Sequence, residues 1–308
     1  MRIAVICNAD SLAIPSLRSL KEKGLLASVA IPERSKAYLY SQILPLTGAE
    51  GDLVTIPEEG HSGCLKEWLE KYNADAVWVF GCPWKIPQDL LSIPDRGFIN
   101  FHFGLMPDYR GADPIFWQIH NREKKCGLVV HRMTEVVDHG PIVWKEEVEA
   151  VPGENYAMHC IRMGLMAAQL QDSLLKEVAE NKNRAVQQEV GRSLYLKRPG
   201  TKELTINWKK QSSDEIIALI NACNPKYGGA STSLRGMELR VLEADVISVN
   251  GSVEATAGTI VHADAVYGLV VACNDKKFVR LNVIHIREGY VSGIRLFNLG
   301  ARAGEFFN

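Results

Sequence analysis

No C-x-x-C pair occurs in this chain. Its seven cysteines, Cys7, Cys64, Cys82, Cys126, Cys160, Cys223 and Cys273, are scattered. An odd number at wide spacing speaks against a disulfide framework and against a structural zinc site. Reduced, buried thiols are expected instead. An imbalance of charge is also missing: 35 basic against 36 acidic residues leave a net charge of −1. The chain as a whole therefore offers no field for nucleic acid, and any such binding has to come from a local basic patch. No apolar run approaches the roughly 20 residues needed to cross a bilayer. The run Met1 to Cys7 is short for the apolar part of a signal peptide and yields at once to Asn8-Ala9-Asp10. It reads as a first strand, and a cytoplasmic protein is expected. No G-x-G-x-x-G follows that strand, since the loop is Asn8-Ala9-Asp10-Ser11-Leu12-Ala13. This disfavours an NAD-dependent oxidoreductase. Internal repeats and low-complexity tracts are absent as well.

What remains is an ordinary globular composition, 46% hydrophobic and 23% charged, over 308 residues. That length holds two domains, each with its own core. Strand and helix signals alternate at first. Arg2–Cys7, Leu26–Ile31, Ala74–Phe80, Gly97–Phe101, Gly127–Met133 and Pro141–Val148 read as strands. Ser16–Lys23, closed by Gly24, and Cys64–Lys71 read as helices. Asp113-Pro114 reads as an N-cap with proline at N1, opening a helix to about Asn121. Alternation of this kind implies a Rossmann-like, open, mostly parallel sheet with helices on both faces, and ligands bind beyond the carboxyl ends of its strands. Asn155–Val178 reads as one long helix turning Ile161, Leu165, Ala168 and Leu175, with Leu170, Leu174 and Val178, toward the core. A polar connector follows. From Leu204 the character changes to a helix over Ser212–Cys223, with Ser213 as a possible cap. Short strands come next at Glu238–Leu242, Val246–Val249, Ser252–Ala255, Leu269–Ala272 and Val279–His285, with a hairpin turn at Asn250-Gly251. These suggest a small β-barrel. The organisation expected is a catalytic domain over 1–182, a linker over 183–203 and a C-terminal OB-like β-barrel domain over 204–308.

The chemistry concentrates between Gly97 and Val143. Asn100-Phe101-His102 brings an amide donor and an imidazole to a strand end. Asp138, in Thr134-Glu135-Val136-Val137-Asp138-His139-Gly140-Pro141, adds a carboxylate. Singly, each is commonplace: Asn and Asp favour turns, and a loop histidine is usually solvated. Together they suit transfer of an acyl unit to an amine, in which an oxyanion must be stabilised and a proton removed from nitrogen. His102, His131, Asp138 and His139 match no compact metal-ligand spacing, and no metal is expected.

The order Asn100-x-His102, Leu105-Met106-Pro107, Tyr109-Arg110-Gly111 and Asp138-x-Gly140 resembles the formyltransferase family that uses 10-formyltetrahydrofolate. Its members formylate initiator methionyl-tRNA, glycinamide ribonucleotide or nucleotide-linked amino sugars. The resemblance implies Asn100, His102 and Asp138 as catalytic residues. Ala76 to Pro87 is similar to the strand and loop that hold the folate pterin, which implies Phe80, Gly81, Trp84 and Ile86, with Val136 and Val137, as its pocket. Gly104, Tyr109, Arg110 and His131 are implied on the acceptor side; the last is histidine in the glycinamide ribonucleotide and sugar branches. Leu204-Thr205-Ile206-Asn207-Trp208 and Asn224 to Ala230 resemble C-terminal segments of the family, whose barrel domain occurs in the methionyl-tRNA branch and in some sugar branches.

Three departures stand out. Gly104 replaces a loop residue that is commonly serine. Asn207 replaces the usual aspartate of the I-D-W segment. Pro32 to Tyr40 lacks the basic, Gly/Pro-rich character of tRNA-directed members, and Tyr38-Leu39-Tyr40 looks like a packed helix. Two acceptors stay open: methionyl-tRNA, which a basic face of Lys197, Arg198, Lys202, Lys209 and Lys210 would favour, and an amino-sugar nucleotide, which a deep pocket closed by Tyr109 and Arg110 would favour. A hydrolase releasing formate from the same folate would keep the same three groups. A silent relative that kept only the fold would not need them.

Overall fold

Runs such as Ile3-Ala4-Val5-Ile6-Cys7 and Ala76-Val77-Trp78-Val79-Phe80 carry no polar face, so a strand made of them needs cover on both sides. In a computed structural model of the chain, which describes residues 1–180, 185–188, 195–248 and 254–308, both are fully buried. The chain divides into two units. The first comprises Met1–Pro114, Lys125–Glu149 and Cys160–Leu196; the second comprises Ile115–Lys124, Ala150–His159 and Lys197–Asn308.

The first unit is built on seven strands: β1 (Ile3–Cys7), β2 (Leu26–Pro32), β3 (Leu53–Ile56), β4 (Ala76–Phe80), β5 (Phe98–His102), β6 (Lys125–Arg132) and β7 (Ile142–Glu149). Their order is β3-β2-β1-β4-β5-β6-β7. Pairing is parallel from β3 through β5, then antiparallel for β5–β6 and β6–β7. This is the expected Rossmann-like, mostly parallel sheet. Strand β3 lies in a stretch where no strand was expected. Helices α1 (Ile14–Glu22) and α3 (His61–Tyr72) fall where helical spacing places them. Helix α2 (Lys36–Ile43) covers Tyr38 to Tyr40 as expected, but only Leu39 of the three is buried and Tyr38 is exposed. A further turn of helix, α4 (Gln88–Leu91), precedes β5.

Helix α3 lays Leu65, Trp68, Leu69 and Tyr72 on the sheet, against Ala4, Ile6, Val77 and Val79. The indole of Trp68 donates to Ser28 Oγ (2.8 Å), whose hydroxyl donates to Asp52 O (2.8 Å). Two buried polar groups are thereby satisfied inside an apolar layer.

Two expectations fail beyond β7. The single helix over Asn155–Val178 is α6 (Tyr156–Gln169) and α7 (Gln171–Ala179), interrupted at Leu170 without a glycine or proline there. Of the residues expected to face the core, Ile161 and Leu165 are each 52% exposed, whereas Leu174 and Val178 are buried as expected. Cys160, Met163 and Ala167 are buried in place of Ile161 and Leu165. Gly164 marks a close approach: a Cβ there would fall 2.1 Å from Ser11 O, so only glycine lets the helix backbone meet the loop after β1.

In the second unit, helix α5 (Pro114–His120) begins where expected, although Asp113 takes a φ of 62° in place of a usual N-cap conformation. Phe116 of α5 stacks edge-on against Tyr227 at 5.5 Å. Helix α8 (Ser213–Cys223) is capped by Ser212, not Ser213. Ser212 Oγ accepts from Glu215 N, and Glu215 Oε2 accepts from Ser212 N (2.7 Å). This reciprocal pair is a capping box.

Strands β8 (Ala230–Leu234), β9 (Met237–Ile247), β10 (Ile260–Asp264), β11 (Gly268–Ala272), β12 (Phe278–Ile286) and β13 (Gly289–Val291) form one antiparallel sheet in the order β10-β11-β12-β9-β8, with β13 on β12. It is compatible with an OB-like domain but is not the closed barrel expected. Its two ends are instead bridged by the chain terminus, through Leu234–Phe307 and Thr259–Phe306 pairs. A last helix, α9 (Gly293–Asn298), had no counterpart in the sequence reading. The hairpin turn expected at Asn250-Gly251 lies outside the described residues, as do Ser252 and Val253 of the strand expected at Ser252–Ala255, while Glu254 and Ala255 are not in a strand. Ile206 and Trp208, from the segment with the Asn207 departure, are core residues. The Trp208 indole donates to Thr232 Oγ1 (2.9 Å) and packs on Phe307.

Replacing Ser212 by Ala should destabilise the protein by about 1 kcal/mol. Urea denaturation checks this, and an unchanged midpoint would show that the capping box contributes nothing.

Candidate active site

Strand β5 ends in Asn100-Phe101-His102, and the antiparallel strand β6 lies beside it with Asn100 opposite His131. Opposed residues of an antiparallel pair project to the same side of the sheet. That pairing joins two residues far apart in sequence: Asn100 Nδ2 donates to His131 Nε2 (3.0 Å). The other nitrogen of His131, Nδ1, meets the carbonyl of Arg132 at 2.9 Å. A carbonyl only accepts, so Nδ1 carries the proton and Nε2 is the acceptor. His131 is thus part of the central cluster.

His102 obeys the same logic. Its Nε2 stands 2.6 Å from the carbonyl of Tyr109 and therefore carries the proton. Its Nδ1 then presents a lone pair toward Asp138 Oδ1, 3.7 Å away and beyond hydrogen-bond length. Burial pushes the His102 imidazole below its ordinary value of 6.5, against the charge of Asp138, which raises it. His102 is accordingly neutral at neutral pH.

Asp138 is buried at φ 58°. Its Oδ1 is 3.6 Å from His131 Nε2, and its Oδ2 accepts the backbone N–H of Gly111 (2.9 Å). Burial alone would raise this carboxyl. His131, then His102, and the Gly111 amide outweigh it and hold the group below its ordinary 3.8. Gly111 has φ 110°, and a Cβ on it would fall 2.2 Å from Leu196 O. Glycine is required there because the chain after the site runs past it, with Leu196 N donating to Arg110 O and Ala112 N to Leu196 O, both at 2.9 Å.

The remaining expected residues divide. Val136 and Val137, on the loop before Asp138, are 58% and 40% exposed. Gly81, at φ 77°, is exposed at the end of β4. These three can meet a ligand. Phe80 cannot do so with its side chain, which is fully buried and stacks on Phe101 at 4.3 Å. Trp84 and Ile86 also belong to the core layer under α3. The Trp84 ring lies parallel to His61 at 5.7 Å. Tyr109 is buried, and Arg110 is only 2% exposed, its guanidinium donating to Gln188 Oε1 through Nε (3.0 Å) and Nη2 (2.5 Å). Arg110 therefore does not close a pocket from outside. His139 turns back on its own loop, with Nδ1 2.7 Å from Val137 O.

Gln188 and the Gly111 amide were missed by the sequence reading. Gln188 sits in the expected linker, where nothing but polarity distinguishes it.

Gly104 receives an explanation. A Cβ there would fall 2.5 Å from Pro114 Cβ and 3.0 Å from Tyr109 Cβ. The loop is closed over the position where the hydroxyl is commonly found. Restoring that residue as Gly104→Ser should cost about 1–3 kcal/mol through overpacking. Thermal denaturation checks this; a variant as stable as the parent would show the loop to be open.

Residues 3–161 match the family profile described as formyl transferase, and residues 200–302 match formyl transferase, C-terminal domain. The methionyl-tRNA formyltransferase of Dictyoglomus thermophilum is 30% identical over 77% of this chain and 76% of its own. That of Fusobacterium nucleatum is 26% identical over 96% of each. Among solved structures, a sugar N-formyltransferase from Shewanella sp. FDAARGOS_354 is similar with a TM-score of 0.59 at 19% identity, over 77% of this chain and 93% of that one. HypX from Aquifex aeolicus, in complex with tetrahydrofolic acid, gives a TM-score of 0.66 at 16% identity, over 96% of this chain and 47% of that one. At such identities the structural likeness concerns the fold.

Proposed function

The chain belongs to the formyl transferase family, and on that premise we propose that it moves the formyl group of 10-formyltetrahydrofolate to the amine of initiator methionyl-tRNA. One observation carries the chemistry: His102 Nδ1 and Asp138 Oδ1 are both acceptors and face each other across 3.7 Å with no proton of their own between them. Such a gap suits a group that brings protons and gains positive charge, as an amine does while attacking a carbonyl carbon.

In this reading the amine nitrogen bonds to the formyl carbon, and the formyl oxygen takes the negative charge. Asn100 uses one amide N–H on His131 and has a second for the oxyanion. His102 Nδ1, backed by the Asp138 carboxylate, takes a proton from the attacking nitrogen. The carbon–nitrogen bond to the folate then breaks, and the same proton passes to the folate nitrogen as it leaves. Donor and acceptor thereby exchange one formyl group for one proton. Gly81, Val136 and Val137 form the exposed side that would meet the folate. No metal takes part in this scheme.

Methionyl-tRNA is favoured over an amino-sugar nucleotide by three points. The relatives cited are named methionyl-tRNA formyltransferases and match over most of both chains. Arg110, the cation that would have met a nucleotide phosphate, is buried on Gln188. Lys197, Arg198, Lys202, Lys209 and Lys210 are exposed and could serve the tRNA backbone.

The deciding assay follows tetrahydrofolate release with charged initiator tRNA and, in parallel, with amino-sugar nucleotides. Turnover only with tRNA is expected. Turnover only with a sugar nucleotide would replace the acceptor, and release with neither would indicate hydrolysis.

Asp138→Asn keeps a residue that tolerates positive φ and can still accept from Gly111, but it removes the charge. It should lower kcat by about 100- to 10,000-fold with the fold intact by circular dichroism; near-parental turnover would end the proposed mechanism. In the parent, once the acceptor amine's own ionisation, at about pH 7.7 to 8.0 for an α-amino group, is divided out, kcat/KM should fall on the acid side only below pH 6.5, because burial keeps His102 neutral to lower pH. An acid limb above that value would contradict the role of His102.

A further inference from the structure

We infer that Gln188 is a positioning residue that locks the Asp138 carboxylate to the Tyr109-Arg110-Gly111 loop. This rests on the proposed function for its consequence, though not for its geometry. Gln188 Nε2 donates to the carbonyls of Asp138 (3.1 Å) and Gly140 (2.6 Å), and Gln188 Oε1 accepts twice from Arg110. Two donors and two lone pairs are all that a carboxamide has. A flipped amide would set oxygen against two carbonyls and N–H groups against a guanidinium, so the orientation is fixed by its surroundings.

The contacts close a ring. Starting at Gln188, the amide oxygen holds the Arg110 side chain. Arg110 is peptide-bonded to Gly111, whose N–H holds Asp138 Oδ2 at 2.9 Å. The Asp138 carbonyl then returns to the amide nitrogen of Gln188. Asp138 is therefore gripped at both its backbone and its side chain, at a positive φ that the chain would otherwise leave. The flanking chain is pinned on either side of Gln188: Val186 exchanges both backbone hydrogen bonds with Ile142 (2.9 Å), and Leu196 pairs with Gly111. Arg110, in this arrangement, works on the carboxylate through Gln188.

Gln188→Ala should lower kcat by about tenfold to a hundredfold and leave KM for 10-formyltetrahydrofolate within about threefold, because the variant misplaces the carboxylate without touching the folate side. The exposed neighbour change Gln187→Ala should have no effect. The separating readout is a double-mutant cycle. In an Asp138→Asn background, where the charge to be positioned is gone, Gln188→Ala should cost less than about threefold more. Fully additive losses, or a parental kcat in Gln188→Ala, would overturn the assignment. Should the alanine variant not fold, Gln188→Glu is nearly isosteric. It keeps both Arg110 contacts but loses both donors, and must show the same kcat loss; parental kcat there would equally overturn it. If the parent itself releases no tetrahydrofolate, the proposed function fails, and the lock is read from hydrogen exchange at the Gly111 amide. Faster exchange in Gln188→Ala supports it; equal exchange refutes it.

Discussion

Keeping one buried carboxylate ionised is the constraint on which the site depends. Burial raises the cost of charge on Asp138; the Gly111 amide donates to it directly, and His131 and His102, in their protonated forms, add the charge that holds the group below its ordinary range. Each arrives by a different route. His102 ends a parallel strand, His131 lies on the antiparallel neighbour, and Gly111 comes from a loop that admits no side chain at that point. The turn from parallel to antiparallel pairing after β5 is therefore more than a detail of topology. Without it, His131 would not oppose Asn100, and both the amide and the carboxylate would lose a partner.

This explains which parts of the protein could be read from sequence. Strands β1, β4 and β5 are short apolar runs that declare themselves, and the parallel sheet follows from their alternation with helices. Asn100, His102 and Asp138 are legible because a short motif carries them. The cluster they form is not, because the place of His131 depends on strand pairing across 31 positions, and that of Gln188 on a polar segment folding back on the site. Helical spacing likewise found rows in α6 but could not tell which row is inward, so Ile161 and Leu165 were assigned to a core that they do not enter. In the second unit, β8, β10 and β13 are short, and β10 and β13 hold a single buried residue between them. Their pattern is faint. The difference between a closed barrel and an open sheet lies in Phe306 and Phe307, which touch both ends and show no signal of it.

The buried Arg110 changes how the acceptor must be recognised. A guanidinium that is only 2% exposed is closed to a phosphate, so in the proposed reading attraction for an anionic acceptor has to come from cations elsewhere. The overall charge of −1 is no obstacle to that. At physiological ionic strength exposed charges act over only about 8 Å, so a ligand responds to local groups and not to the sum over the chain. In the proposed reading the exposed cations from Lys197 to Lys210 would fill that role; along this segment the carbonyl of Lys197 accepts from the Trp117 indole (2.9 Å), and Lys210 N donates to Asn207 O (3.0 Å). The first bond ties the start of the segment to α5, and the second is a turn within it. Asn207, which departs from the aspartate that the resemblance implies, leaves the local charge one unit more positive. A substitution that looked incidental in sequence thereby acts in the direction that a polyanionic acceptor requires.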